Sequence, residues 1–226
     1  MRQGLAGHVT PSHGPVTILG KLRAASQPTA GDTRAIMYGR APWATGSRDM
    51  AAVPTRTKPQ VVPARLMLFE HEHAARVASW VLDEREAYLI APRTPPPLTA
   101  EKICGWCGPG RQQFLLIELG KKRPVAYGEL NVLRTQERHF WLGHLIVDPR
   151  RRGHGLGTCL TRLLLERAFN QQGARRVTLV VFPENHRALA CYRAAGLREA
   201  GAEIHYFPPY DRRVRLLKMN AVRRAD

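Results

Sequence analysis

Between Asp148 and Thr158 the chain runs Asp-Pro-Arg-Arg-Arg-Gly-His-Gly-Leu-Gly-Thr. Glycines alternate at positions 153, 155 and 157, so backbone N–H groups can turn toward an anion with no side chain in the way. A helix starting here would add its orphan N–H donors and the positive end of its dipole. In physical terms this is a cradle for a pyrophosphate, and the arginines of the loop bring further charge to it. Two phosphate-binding patterns do not fit. A P-loop ends in Gly-Lys-Ser/Thr, which the sequence lacks. A dinucleotide fingerprint needs its third glycine one position later, where Thr158 stands, and an early strand in front of it.

Such a loop needs a strand to deliver it and a helix to receive it. Val61 to Phe69 has the pattern of a first strand, and Glu70 to Leu82 that of a helix with Ala74, Val77, Ala78 and Val81 on one face. Pro95-Pro96-Pro97 is a loop, and Thr99 caps a short helix after it. Gln113–Glu118, Pro124–Asn131 and Arg138–Val147 are three strand-like runs with short turns, the pattern of an antiparallel meander. Asp148-Pro149 ends the third run. A long helix follows the glycine loop and buries Leu160, Leu163, Leu164 and Ala168. Arg176–Val181 is another apolar strand, Asn185 caps a helix to Ala195 that Gly196 closes, and Val214–Met219 supplies a last strand.

The 226 residues carry a formal charge of +17, which favours anionic partners, although an arginine-rich codon usage produces the same skew. Residues 1 to about 60 stand apart. They are rich in Gly, Pro, Ser and Thr, hold eight Lys and Arg against Asp32 and Asp49, and keep no periodicity. We expect residues 1–59 to be a disordered basic extension, with Met50 as an alternative start, and residues 60–226 to be the folded domain. No run of 18 apolar residues and no signal-peptide core occurs. Four cysteines without a framework point to free thiols and a cytoplasmic setting.

Arg152-Gly153-His154-Gly155-Leu156-Gly157 resembles the Arg/Gln-x-x-Gly-x-Gly/Ala signature of the GNAT superfamily of acetyl-CoA-dependent N-acetyltransferases, and Leu145 to Pro149 resembles that family's fourth strand. Asn185-His186-Arg187-Ala188, with Tyr192 and Gly196-Leu197, resembles its Asn-x-x-Ala-x-x-x-Tyr-x-x-x-Gly-Phe/Leu helix. The resemblance implies an α/β (α+β) fold, a mixed, mostly antiparallel central sheet flanked by helices, with splayed fourth and fifth strands. It implies acetyl-CoA as acetyl donor and no metal. The pantetheine arm falls to Leu145, Ile146 and Val147. The pyrophosphate falls to Arg151, Arg152, Gly153, His154, Gly155, Leu156, Gly157 and Thr158, with Asn185 in the second motif. Tyr192 matches the family's general acid. It lies seven residues after Asn185, about two helical turns, so both share one face.

At the general base the chain departs from the family. Many relatives have a glutamate on the fourth strand near the position of Trp141, which cannot take a proton. His144 and His139 lie on that strand, Glu129 lies on the one before, and solvent is a fourth option; His144 is our candidate. The expected reaction is direct acetyl transfer to a primary amine of a small metabolite, an amino acid or a protein N-terminus, by a monomer or homodimer. Acylation of a charged tRNA is an alternative, as is a non-catalytic CoA- or nucleic-acid-binding module. Acceptor choice falls to the first helix, Pro95–Pro97 and the region His205–Tyr210. Cys104-Gly105-Trp106-Cys107 has half the ligands of a zinc site and lacks a thioredoxin context, so an ordinary helix-end turn is expected there.

Overall fold

A computed structural model describes residues 63–223. The expectations for residues 1–59 and for Met50 lie outside the described residues. Seven strands form one sheet in the order β1-β2-β3-β4-β5-β7-β6. They are β1 (Ala64–Leu68), β2 (Arg111–Glu118), β3 (Pro124–Arg134), β4 (His139–Val147), β5 (Arg176–Val181), β6 (Arg198–Phe207) and β7 (Arg212–Val222). β2 to β4 are the antiparallel meander that the short turns predict, and β1 adds to its edge, antiparallel to β2. The β4–β5 pair is parallel, with the helical crossover that parallel strands require, and the rest of the sheet is antiparallel.

Two helical layers cover the sheet, and strand alternation assigns residues to them. Phe114 and Leu116 of β2 face one core with α4 (Leu156–Glu166) and α5 (His186–Ala195). Leu115, between them, faces a second core with α1 (Ala74–Ala78), α2 (Glu84–Ile90) and α3 (Ala100–Cys104). β2 is apolar on both faces because it is covered on both. α4 buries Leu156, Leu160 and Leu164, one i, i+4 stripe against the sheet. Among the described residues no helix is long and apolar enough to cross a membrane.

Three elements differ from the sequence expectation. The helix expected over Glu70–Leu82 is a 3-10 turn at His71–His73 followed by α1, and it ends at Ala78. α2 was not expected; Asp83 caps it by accepting from the Glu86 N–H at 2.8 Å, and that Asp-x-x-Glu spacing is the local signal for it. β6 was not expected either, because exposed polar residues and glycine dominate Arg198–Glu203. Its pairing to β7, rather than its own pattern, makes it a strand.

Candidate active site

β4 and β3 pair along most of their length, but the register slips at one point. Glu129 faces Gly143, whereas Tyr127 faces Ile146, so His144 and Leu145 stand opposite the single residue Gly128. This is a β-bulge, and His144 carries its strain with a φ of 43° in the left-handed region. The bulge inverts the phase of the strand. Phe140 and Leu142 point into the α4–α5 core, and past the bulge Leu145 and Val147 do so instead. Ile146 joins the α1–α3 core. His144 turns to that same side, where its ring stacks on the Trp106 indole with centroids 3.9 Å apart and planes 16° apart.

What His144 meets there is a carboxylate. Its Nδ1 lies 2.8 Å from Oε1 of Glu129, a fully buried residue on β3. The Tyr127 hydroxyl donates to the same oxygen at 2.8 Å, and the Asn131 amide donates to Oε2 at 3.1 Å. Burial pushes the Glu129 carboxyl up, but the hydrogen bonds and charge of its neighbours, His144 first, hold it below the ordinary carboxylate value. Burial and the adjacent carboxylate push the Tyr127 phenol far up, so it stays a donor. With Nδ1 turned to the ionised Glu129, Nε2 is the ring nitrogen left to exchange a proton with a substrate. The chain of bonds runs on behind Tyr127. Gln113 Nε2 donates to the tyrosine oxygen at 2.7 Å, and the Cys107 thiol contacts Gln113 Oε1 at 2.7 Å.

Trp141 holds the site from the other side. A methyl group on Gly143 would lie 2.5 Å from the Trp141 ring and 3.2 Å from Glu129 Oε2, so glycine lets the indole close over the strand beside the carboxylate. Immediately beyond, the sheet opens. β4 and β5 pair only from His139–Arg176 to Trp141–Thr178, while β4 continues to Val147 and β5 to Val181. This is the expected splay. It leaves the β5-facing backbone edge of Leu142–Val147 without a partner strand among the described residues.

The glycine loop follows at the end of that edge. Asp148 caps a short 3-10 turn, Pro149–Arg151, and Gly153 and Gly155 adopt left-handed φ values of 82° and 75°. Gly155 is the N-cap of α4, and the first α4 turn holds N–H groups with no intrahelical partner. Gly157 lets α5 approach: a Cβ there would meet the Cys191 sulfur at 3.1 Å. Two of the loop's three arginine side chains are engaged elsewhere, while Arg150 is exposed. Arg151 pairs with Glu118, and Arg152 clamps Glu86, with one contact at 3.2 Å, while also bonding the Trp80 and Val147 carbonyls at 2.9 and 3.2 Å. The donors the loop offers are therefore the backbone N–H groups between Gly153 and Thr158 and the side chain of the exposed Arg150. The His154 ring is turned back onto the Arg152 carbonyl at 2.9 Å.

Asn185 caps α5 by accepting from the Ala188 N–H at 3.2 Å. Tyr192 is half-buried against the α4–α5 core, one residue after the cysteine that touches the first turn of α4. Burial pushes its phenol well up, so it is protonated at neutral pH. Sequence reasoning listed Glu129 and His144 as separate candidates and missed that they are one unit. It also missed Trp106, Tyr127 and Gln113 as their supports. The alternation of β4 argued against the pair, since an unbroken strand would turn His144 toward the Leu142 face; only the bulge corrects that. Cys104 to Cys107 is the expected turn at the end of α3.

The family model described as "Acetyltransferase (GNAT) family" matches residues 70–197. Aminoglycoside N(6')-acetyltransferase type 1 of Klebsiella pneumoniae is 24% identical over 154 residues, covering 60% of this chain and 69% of that one. Among solved structures, spermidine N-acetyltransferase of Vibrio cholerae in complex with CoA and spermine is similar with a TM-score of 0.59 and 17% identity, over 70% of this chain and 95% of that one. Aminoglycoside acetyltransferase AAC(6')-Ib in complex with coenzyme A and kanamycin is similar with a TM-score of 0.56 and 21% identity, over 71% and 95%.

Proposed function

The chain belongs to the GNAT acetyltransferase family, and from that premise we propose that it acetylates a primary amine, with His144 as general base held by Glu129. The observation that carries this reading is the pairing of buried Glu129 with the half-buried His144 of the β4 bulge, beside the point where β4 parts from β5. The residues present fit acetyl-CoA: an unpaired β4 edge for an extended amide arm, then left-handed glycines and a helix N-terminus for a pyrophosphate. When bound, it supplies an acetyl group activated as a thioester. Leu145, Ile146 and Val147 would hold the arm, and the backbone from Arg152 to Thr158 the pyrophosphate.

The chain's own groups then handle protons and charge. His144 Nε2 takes the proton that an ammonium must lose before its nitrogen has a lone pair, and Glu129 stabilises the imidazolium that results. Backbone N–H groups on the open β4 edge face the developing oxyanion. Tyr192, kept protonated by its burial, donates to the departing sulfur. No covalent acyl-enzyme is needed, so the amine attacks directly within a ternary complex. The acceptor side falls to α2 and the β6–β7 turn, where Tyr88 and Tyr210 meet edge-on at 4.7 Å.

A thermal-shift titration with acetyl-CoA, against ATP and NAD, tests the donor site. A selective ligand at 100 times its dissociation constant stabilises the fold by about 2.7 kcal/mol. Release of CoA thiol is then followed with an amine panel led by spermine and kanamycin, the amines bound by the similar structures. Stabilisation by acetyl-CoA alone, and turnover lost in His144→Gln, is the expected outcome. Equal shifts with all three ligands would sink the donor assignment.

A further inference from the structure

The sulfur at the far end of the His144 network is one of a pair. Cys104 closes α3 and Cys107 follows one turn later, with the Cys107 N–H donating to the Cys104 carbonyl at 3.1 Å. Residues three apart on such a turn have Cβ atoms about 5–6 Å apart. A disulfide draws them to about 3.5–4.5 Å, so closure tightens the turn without a larger rearrangement. Cys107 is solvent-exposed and both thiols are free.

Both ends of that turn lead to His144. Trp106, between the cysteines, stacks on the His144 ring and is anchored by its Nε1 donating to Thr94 Oγ1 at 3.1 Å. Cys107 Sγ holds Gln113, Gln113 holds Tyr127, and Tyr127 holds the Glu129 oxygen that His144 shares. Sulfur cannot bridge to Cys104 and keep its hydrogen bond to Gln113.

We propose that Cys104 and Cys107 are a thiol-modification site that a low-molecular-weight disulfide converts to an intramolecular disulfide, loosening His144 through Trp106 and Gln113. In the first exchange the Cys107 thiolate attacks the external disulfide, forming a mixed disulfide and expelling one thiolate. The Cys104 thiolate then attacks the Cys107 sulfur and expels the second. Two protein thiols are oxidised, one external disulfide is reduced to two thiols, and the two protein protons end on the thiols released. Burial pushes the Cys107 thiol up, with Cys104 and Glu129 adding to it, so exchange quickens as pH rises. The consequence for catalysis rests on the proposed function above; the modification itself does not.

The test treats the full chain with oxidised glutathione and follows two readouts that need no acetyl transfer. Mass spectrometry of the Ile103–Arg111 tryptic peptide is expected to show loss of two hydrogens, reversed by dithiothreitol. The His144 ring resonances, assigned with His144→Gln, are expected to move in step, and to stay still in Cys107→Ser, whose hydroxyl can still donate to Gln113. Amine acetylation is expected to fall about ten- to a hundredfold on oxidation. Glutathione adducts at Cys159 or Cys191 without the 104–107 bridge would overturn the proposal. So would a bridge that leaves the His144 resonances unchanged. If the bridge and the shift appear in a protein that acetylates no amine when reduced, the acetyltransferase reading of the site fails and the thiol site stands.

Discussion

β4 carries two histidines five residues apart, and the sheet treats them differently. His139 lies where β4 is paired on both sides, to β3 and to β5, and its ring is buried against the Thr178 hydroxyl. His144 lies past the last β4–β5 pair, on a bulge, in strained backbone, against an ionised carboxylate. The first is spent on closing the sheet. The second is available because pairing lapses on one side and register slips on the other. A strand interior satisfies its polar groups; a place where pairing fails leaves groups over for a substrate.

The sharpest way to break this contrast is to remove each ring in turn. His144→Gln is expected to lower kcat for amine acetylation by about 10²–10⁴, the usual contribution of a positioned base. Glu129→Gln should approach that loss, since a neutral amide cannot stabilise an imidazolium. His139→Gln should leave kcat unchanged and lower the thermal midpoint. Steady-state rates beside melting curves separate the two. Equal losses of kcat at both histidines would end the assignment of the base to His144.

Next in size is the packing that sets the bulge. Gly143→Ala puts a methyl on a buried position 2.5 Å from the Trp141 ring. Overpacking of this kind costs about 1–3 kcal/mol, and each kcal/mol moves the midpoint of a domain this size by about 2–4 °C. If the indole guards the Glu129 carboxylate, kcat falls together with stability. An unchanged kcat in a destabilised protein would mean that Trp141 only fills space.

Acid sharpens the contrast in a different way. Burial and the Arg176 charge hold His139 below its ordinary value, and Glu129 is held below the carboxylate range. In both cases the unfolded chain binds the proton more readily than the folded one, so stability is present at high pH and lost as pH falls. The windows differ. His139 gives its loss below about 6.5, Glu129 below about 4.3, each continuing to the folded-state value. Chemical denaturation across pH 3–8 should show His139→Gln flattening the upper part of the curve and Glu129→Gln the lower part. One variant flattening both parts would mean that the groups titrate as a unit.

The meander, the α4 stripe and the Asn185 cap could be anticipated from the sequence because each is a local rule, a period or a cap residue. The glycine loop was legible because Gly153 and Gly155 need left-handed backbone that few other residues tolerate. The Glu129–His144 pair was not. Fifteen residues separate its members, and their meeting depends on a one-residue slip in register that leaves no mark on the hydrophobic pattern until Leu145 and Val147 take over the inward phase. β6 was illegible for a related reason: its strand character comes from β7, while its own residues are mostly exposed.

The smallest expected effect probes the closed end of β4. Thr178→Val keeps the shape of the side chain and removes the hydroxyl that His139 meets from β5. One buried imidazole nitrogen then loses its partner, which costs about 1–3 kcal/mol when the group stays dry and less when water reaches it. His139 sits at the end of the strand, where the β3–β4 turn is open to solvent at Thr135 to Arg138. Water can therefore replace part of the lost bond, and the lower end of that range applies. Because Thr178 pairs with Trp141 at the last rung before the splay, the same change asks whether closure here transmits to the His144 half. A small drop in midpoint with kcat and KM unchanged keeps the two halves of β4 independent. A drop in kcat without one in stability would show that the Trp141–Thr178 rung sets how far the strands part, and the two histidines would then belong to one device.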